Sequence, residues 1–335
     1  MMTERFLHVR GALRLCLMLS TVCLLCPAVA SATPAKGSTP ADRIQQAFSQ
    51  LVADPPPPKL ANDAHFVISN ELNHQVYRPS IQGLGGALVG VGSDQLYILA
   101  SWAEPEVLVP FDFDSVIVDI HRIYGVLFKR HQSPGAFVDA WSKAQRAASV
   151  AEIDAKLGSS CQRCSTLFKR YHGLIYGRLR RIRRLYRRSK VPMFLTDDAM
   201  YTKVADLHRG GRVFPIRGNL IGVKTMKSLS AAAKAADVPI RVLYVSNAEQ
   251  YTKYPKTFRD NILGLHTDDR SVLLRTTPKG RRGSNSDDYW YYIQSFDLFK
   301  RYMQSKGYRT VYQILRRKRL IPHTGARGFR NSLEP

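Results

Sequence analysis

The chain is short of acid. Its 335 residues hold 26 Asp and Glu against 50 Lys and Arg, a net charge of +24 at pH 7 before histidine is counted. This excludes a self-compensating surface and asks for a polyanionic partner or a local concentration of positive charge. Cysteine is scarce too: there are five, and Cys16, Cys23 and Cys26 fall within the first thirty residues. Beyond those thirty, no apolar run is long enough to cross a bilayer. No repeat of solenoid length is present, which removes arrays of stacked units. Apolar residues are not lacking. At 44% of the chain, with 23% charged, they are too many for a disordered protein and enough to bury a core.

The N-terminus has the three-part pattern of a secretory signal. Arg5, Arg10 and Arg14 precede an apolar stretch at 15–25, and Ala30-Ser31-Ala32 offers small residues for cleavage. The stretch is short for an anchor and ends at Pro27, while Val22 and Leu25 stand where a lipoprotein signal needs a small residue. Removal of residues 1–32 is therefore expected, leaving a mature chain of 303 residues with +22, periplasmic or extracellular. Residues 33–59, with one short helical stretch at 42–52 and ending in Pro55-Pro56-Pro57-Pro58, read as a proline-rich tether. A single domain is expected over 60–320 and a tail over 321–335. The remaining pair, Cys161 and Cys164, follows a Gly-Ser-Ser loop and reads as a loop staple or a free pair. Zinc would need two more ligands where only His172 lies near, so no metal is expected.

Short apolar runs then recur, each ending in a polar cluster: 65–68, 87–89, 107–111, 193–195, 212–216 and 240–245. They are unalternated and rich in Val, Ile, Leu and Phe, as strands buried on both faces are. Helical spacing marks 115–129, 135–148 and 225–236, the last stopping before Pro239. Residues 271–277 and 289–296 read as an antiparallel hairpin, followed by a helix that Asp297 is placed to cap and Gly307 to end. The expected fold is α/β. It has a Rossmann-like, mostly parallel sheet with flanking helices, a C-terminal antiparallel hairpin and a basic helical insertion at about 115–190. In such sheets ligands bind beyond the carboxyl ends of the strands.

At those ends the sharpest constellation is Gly90-Val91-Gly92, with Asp94 close behind and Asp112 ending the next strand. Glycines permit a tight turn and close approach of backbone to ligand, and a carboxylate there can accept hydrogen bonds from ribose hydroxyls. Gln95 stands where a dinucleotide fingerprint has its third glycine, which argues against a pyrophosphate and leaves room for a cofactor without one, such as S-adenosylmethionine. A tight strand-to-helix turn without any ligand explains Gly-x-Gly equally well.

Taken in order, Phe66-Val67-Ile68-Ser69-Asn70-Glu71, Gly90-Val91-Gly92-Ser93-Asp94-Gln95, the 105–112 strand and Tyr244-Val245-Ser246-Asn247-Ala248-Glu249-Gln250-Tyr251 resemble an uncharacterised bacterial family. Its members look like class I methyltransferases in fold. The resemblance spans roughly 60–300. It implies that Gly90, Gly92, Asp94 and Asp112 line the nucleoside side of a pocket, with Asn219 near the adenine where many such folds have an acid. It also implies that Ser69, Asn70, Glu71, Ser246, Asn247, Glu249 and Tyr251 face the substrate. The family lends no activity, so the chain is a methyltransferase only if it is an enzyme at all. S-adenosylmethionine is made in the cytosol, which an exported chain leaves.

Two other readings stand beside it. Asp112-Phe113-Asp114, Ser246-Asn247 and Asp268-Asp269, with Lys253 or Lys256, resemble the magnesium-dependent aspartyl phosphatases of the haloacid dehalogenase superfamily. That pattern implies a nucleophilic Asp, a second Asp as acid and base, a phosphate-binding Ser and a late acidic pair for magnesium. Alternatively the chain is a non-enzymatic envelope protein. Residues 156–190 hold 12 Lys and Arg and no acid, with Leu167, Tyr171, Leu174, Ile175, Leu179, Ile182, Leu185 and Tyr186 at helical spacing. After export, an anionic lipid or a surface polyanion suits such a helix better than nucleic acid does. A solvated face of an inserted helix suits it equally.

Overall fold

The computed structural model describes residues 39–60, 64–279 and 289–316, and the backbone of 321–322 and 329–331. The expected signal and the loop of the expected hairpin lie outside the described residues. In chain order the elements are α1 (Pro40–Phe48), α2 (Arg78–Ile81), β1 (Ala87–Gly90), α3 (Gln95–Ala103), β2 (Val107–Asp112) and α4 (Ser115–Arg130). Next come α5 (Pro134–Asp139), α6 (Arg146–Leu157), α7 (Cys164–Arg188), α8 (Asp198–Arg209), β3 (Ile216–Arg217), α9 (Thr225–Ala236) and β4 (Ile240–Tyr244). The chain continues with α10 (Lys256–Gly264), β5 (Val272–Pro278), β6 (Tyr289–Ser295), α11 (Phe296–Gln304), α12 (Val311–Arg316), β7 (Ile321–Pro322) and β8 (Phe329–Asn331).

The strands form one sheet in the order β3-β2-β1-β4-β5-β6-β8-β7. β1 through β5 run parallel, and β6 pairs antiparallel with β5 along its whole length. The expected Rossmann-like α/β sheet with its C-terminal hairpin is thus present. The chain builds outward from β1 to β3, then returns to lay β4 against the other side of β1. The sheet therefore reverses its order between β1 and β4, the place where open α/β sheets form a crevice.

Because side chains alternate along a strand, the sheet carries two cores. Leu88, Leu108, Val242, Tyr244 and Leu274 point into one, beneath α3 to α8. Ala87, Val89, Val109, Leu243 and Leu273 point into the other, beneath α1, α9, α10, α11 and α12. This explains the unalternated runs, since both faces of β1 and β2 are covered. α3 is buried at all nine positions, as a helix apolar all round must be. The insertion between β2 and β3 supplies α4 to α8.

Several expectations need correction. The short helical stretch expected in the 33–59 segment is α1, opened by Pro40 and a Thr39–Asp42 capping box, but it is no free tether: it packs on α9 and buries Ile44 and Phe48. Residues 65–68 form no strand: they join no ladder, and Ile68 is a bend. Residues 193–195 form a buried turn in which the Met193 carbonyl accepts from Thr196 and Asp197, and Asp197 then caps α8. The 212–216 run yields one isolated bridge, Val213 to Leu108, and the two-residue β3. The 135–148 helix is split between α5 and α6. Asp297 falls in the first turn of α11 rather than at its cap, and that helix ends at Gln304, before Gly307. The expected tail contributes β7 and β8 to the sheet edge. By contrast, α9 covers Thr225–Ala236 as its sequence indicates, stopping at a left-handed Asp237 ahead of Pro239.

Candidate functional site

The carboxyl ends of β1, β2 and β4 gather most of the residues singled out from sequence, and they fall into two groups. The first surrounds Glu71, which is 1% exposed. Its carboxylate accepts hydrogen bonds from Ser246 Oγ at 2.6 Å, Thr276 Oγ1 at 2.7 Å, His74 Nε2 at 2.9 Å and the Tyr244 hydroxyl. Burial raises the pKa of Glu71, but the hydrogen bond and charge of His74, with the bonds from Ser246 and Tyr244, outweigh it and hold the group below its ordinary value. Ser246 reaches Glu71 from a left-handed backbone conformation, φ 49°, that also lets its carbonyl accept from Thr276 N at 2.8 Å.

Next to Glu71, the buried Arg178 of α7 donates to Asp94 Oδ2 and to the Glu71 carbonyl, both at 2.8 Å. The other Asp94 oxygen accepts from Ser69 N at 3.0 Å, and Ser69 Oγ accepts from Glu71 N at 3.1 Å. Asp94, Ser69 and Glu71 therefore lock the 65–73 segment over the end of β1. Asn70 alone of that trio's neighbours is exposed, its amide donating to the Tyr289 hydroxyl at 2.7 Å.

The second group sits at the end of β2. Asp112 accepts from Gly92 N at 3.1 Å and from Asp114 N at 2.9 Å. Among the described residues no cation pairs with it. Burial drives its carboxyl up to about 7, with Asp114 adding to the rise and the backbone donors opposing it. Asp114 caps α4 through Val116 N and holds His65 Nδ1 at 2.7 Å, which fixes the half-exposed Phe66 beside it. Below Gly92, burial pushes His121 down to about 4. It is therefore neutral at pH 7: Nε2 donates to the Gly92 carbonyl and Nδ1 accepts from the Tyr97 hydroxyl, both at 2.7 Å. His121 is a satisfied packing histidine, not a base.

The protein packs so closely on the glycine turn that neither position has room for a side chain. A Cβ on Gly90 would meet Leu96 at 2.4 Å, and one on Gly92, whose φ is 95°, would meet the Gln95 amide at 2.1 Å. Asn219 is tied to its surroundings at two atoms: its backbone N donates to Asp54 Oδ2 at 3.0 Å and its side-chain Oδ1 accepts from Ile221 N at 3.1 Å. The buried Asp54 carboxylate, brought in by the segment after α1, also accepts from Lys224 N and so fills the β3–α9 loop from inside. Glu249 points to the opposite face from Glu71. It forms a fully buried pair with Arg275 at 3.0 Å and accepts from Tyr254. Asn247 begins a short 3-10 turn at Ala248–Tyr251, and Tyr251 is 61% exposed.

The phosphatase constellation does not assemble. Asp112, Asp114 and Ser246 lie at the carboxyl edge. Asp268 precedes β5 and pairs with Arg241, near the start of β4, at 2.8 Å, which puts it at the amino edge. Cys161 and Cys164 form a disulfide at the start of α7. Asp119 lies close by, in the one group of metal-ligand types among the described residues, but the disulfide leaves no thiolate to bind a metal.

Sequence reasoning missed Arg178, Thr276, His65 and Asp54. Arg178 carries a signal: it falls between Ile175 and Ile182 on the stripe that α7 buries. The others act through tertiary placement that spacing does not encode. A family model described as a domain of unknown function (DUF7790) matches residues 66–332. No curated protein matches the chain.

Proposed function

The chain belongs to the DUF7790 family, and from its carboxyl-edge geometry we propose that it is a ligand-binding protein of methyltransferase-like fold, taking a hydroxyl-bearing, nucleoside-type molecule at Asp112. One observation carries this reading: a carboxyl poised at about 7 at the crevice edge, held by backbone donors and, among the described residues, by no cation. Such a group has spare lone pairs for hydroxyl donors and a proton equilibrium in the physiological range, the signature of a functional carboxylate. Phe66 at 54% exposure and Val223 at 55%, on the neighbouring 65–73 segment and β3–α9 loop, offer apolar surface for a flat base.

The Asp112 end suits a ribose diol, while at Asn219 the side-chain Oδ1 is already taken by Ile221 N, which makes the adenine contact the weaker half of the site. The proposed role is binding.

Calorimetric titration with adenosine and with S-adenosylhomocysteine tests the reading. Ligand hydroxyls donate to the ionised carboxylate, so affinity should rise as pH passes through about 7 and level off above it. Asp112→Asn should weaken binding by about tenfold or more, the value of a hydrogen bond to a charged group. Absence of heat with millimolar adenosine at pH 8, or equal affinity in Asp112→Asn, would overturn it.

A further inference from the structure

The outer face of α7 is a second feature, independent of the Asp112 site. Between Asp154 and Asp197 the chain has no acid at all. α7 runs for 25 residues, about 37 Å at helical rise. Its apolar stripe is consumed by the core: Leu167, Phe168, Ile175, Leu179, Ile182 and Tyr186 are buried, and Arg178 turns inward with them to Asp94. The helix is therefore a fixed part of the domain and cannot embed that stripe in a membrane. What it presents outward is positive charge. Seven of its nine cations are exposed, with Arg183 half-buried and Arg178 turned inward.

An apolar residue stands in the middle of this cationic face. Leu174, which the helical spacing assigns to the buried stripe, is instead 51% exposed. Nothing overhangs it: a Cβ on Gly173 or Gly177 would meet no atom within 4 Å. Beside it Arg170 and Arg180 lie over the rings of Tyr171 and Tyr176, at 5.2 Å and 5.3 Å from their centroids. Tyrosine, arginine and one leucine around an open backbone patch, flanked by further arginines, match the layering of a lipid interface, where phosphates meet the first acyl carbons.

We propose that the outer face of α7 docks on a bilayer containing anionic phospholipid, with the arginines on the headgroup phosphates and Leu174 reaching the acyl boundary. Nucleic acid would satisfy the arginines but would leave Leu174 without a role, so Leu174 decides between the two. The test is co-sedimentation of the mature chain with phosphatidylcholine vesicles with and without phosphatidylglycerol, alongside binding to duplex DNA. Binding should require phosphatidylglycerol and fall with salt. Arg184→Gln/Arg187→Gln/Arg188→Gln should weaken it about a hundredfold. Leu174→Ser, which keeps the charge, should weaken vesicle binding about tenfold and leave DNA binding unchanged. Equal partition onto both vesicle types overturns the proposal, as does vesicle binding indifferent to Leu174→Ser. Circular dichroism and melting of each variant separate loss of docking from loss of fold, and Arg184→Lys/Arg187→Lys/Arg188→Lys should restore binding.

Discussion

Glu71 and Asp112 stand at the same edge of one sheet and have opposite electrostatics. Glu71 is buried and surrounded by four side-chain donors, and its carboxyl is held below the ordinary range. Asp112 keeps some exposure and, among the described residues, has only backbone donors, and its carboxyl is pushed up to about 7. Burial alone does not separate them, since it raises both. The difference lies in what was folded around each. A buried carboxylate whose acceptor sites are filled by Ser246, Thr276, His74 and Tyr244 is a structural clamp joining the 65–73 segment to β4 and β5. One left with open acceptor capacity at a crevice is available to a ligand.

The sharpest way to break this contrast is to remove the clamp. Glu71→Ala leaves His74, Ser246, Thr276 and Tyr244 without their common acceptor in a buried site, and should cost about 3–5 kcal/mol of stability, read as a large fall in melting temperature. The pH dependence carries the same sign information. Because the folded pKa of Glu71 is depressed, its stabilisation is present above its unfolded value of 4.5 and is lost as pH falls through the folded value. A variant as stable as the parent would mean that the network holds nothing together.

Asp112 should behave in the opposite sense. Its folded pKa is raised from 3.8 to about 7, so the protonated form favours the fold. That stability is complete below the unfolded value and is lost as pH rises through about 7. After screening of a partly exposed group, the loss should be about 1–3 kcal/mol. Asp112→Asn should therefore flatten the decline in melting temperature between the unfolded value of 3.8 and about 7, and match or exceed the parent at the upper end. A decline that persists unchanged in Asp112→Asn would assign the titration to another group.

The sheet was legible because both faces of its inner strands are covered, so β1, β2 and β4 appear as plain apolar runs. The helices were legible where a stop signal was local, as at Pro239 after α9. The places where reading failed share a cause. The 193–195 run is apolar because it is buried in the helical layer, and burial alone does not distinguish a turn from a strand. Leu174 fits a helical spacing yet faces out, since neighbouring positions on a long helix straddle the edge of the buried stripe. Pro55-Pro56-Pro57-Pro58 suggested a spacer, while just before it α1 packs on α9 and Asp54 fills the β3–α9 loop from inside. At the site, sequence brought together Ser69, Glu71, Asp94, Asp112 and Ser246, which do share one edge. It could not assign Glu249 to the opposite face, because that depends on the twist of the short turn after β4. Nor could it separate a saturated carboxylate from an open one, because the donors to Glu71 come from residues up to 205 positions away.

The finest test of the contrast removes a single donor. Thr276 lies on β5 between Arg275 and Thr277, and strand alternation sends its hydroxyl to Glu71 on one face while Arg275 goes to Glu249 on the other. Thr276→Val keeps the shape and the β-branched preference for strand, and deletes only the bond to Glu71 Oε1. Ser246 Oγ still serves that oxygen, so the carboxylate is not orphaned. The cost should be about 1 kcal/mol, the net value of one buried hydrogen bond, well below that of Glu71→Ala. Combined with Ser246→Ala, however, it strips Oε1 of both side-chain donors, and the pair should cost more than the sum of the two single changes. Strict additivity would show that Glu71 is held by packing rather than by its donors, and the distinction from Asp112 would then rest on burial after all.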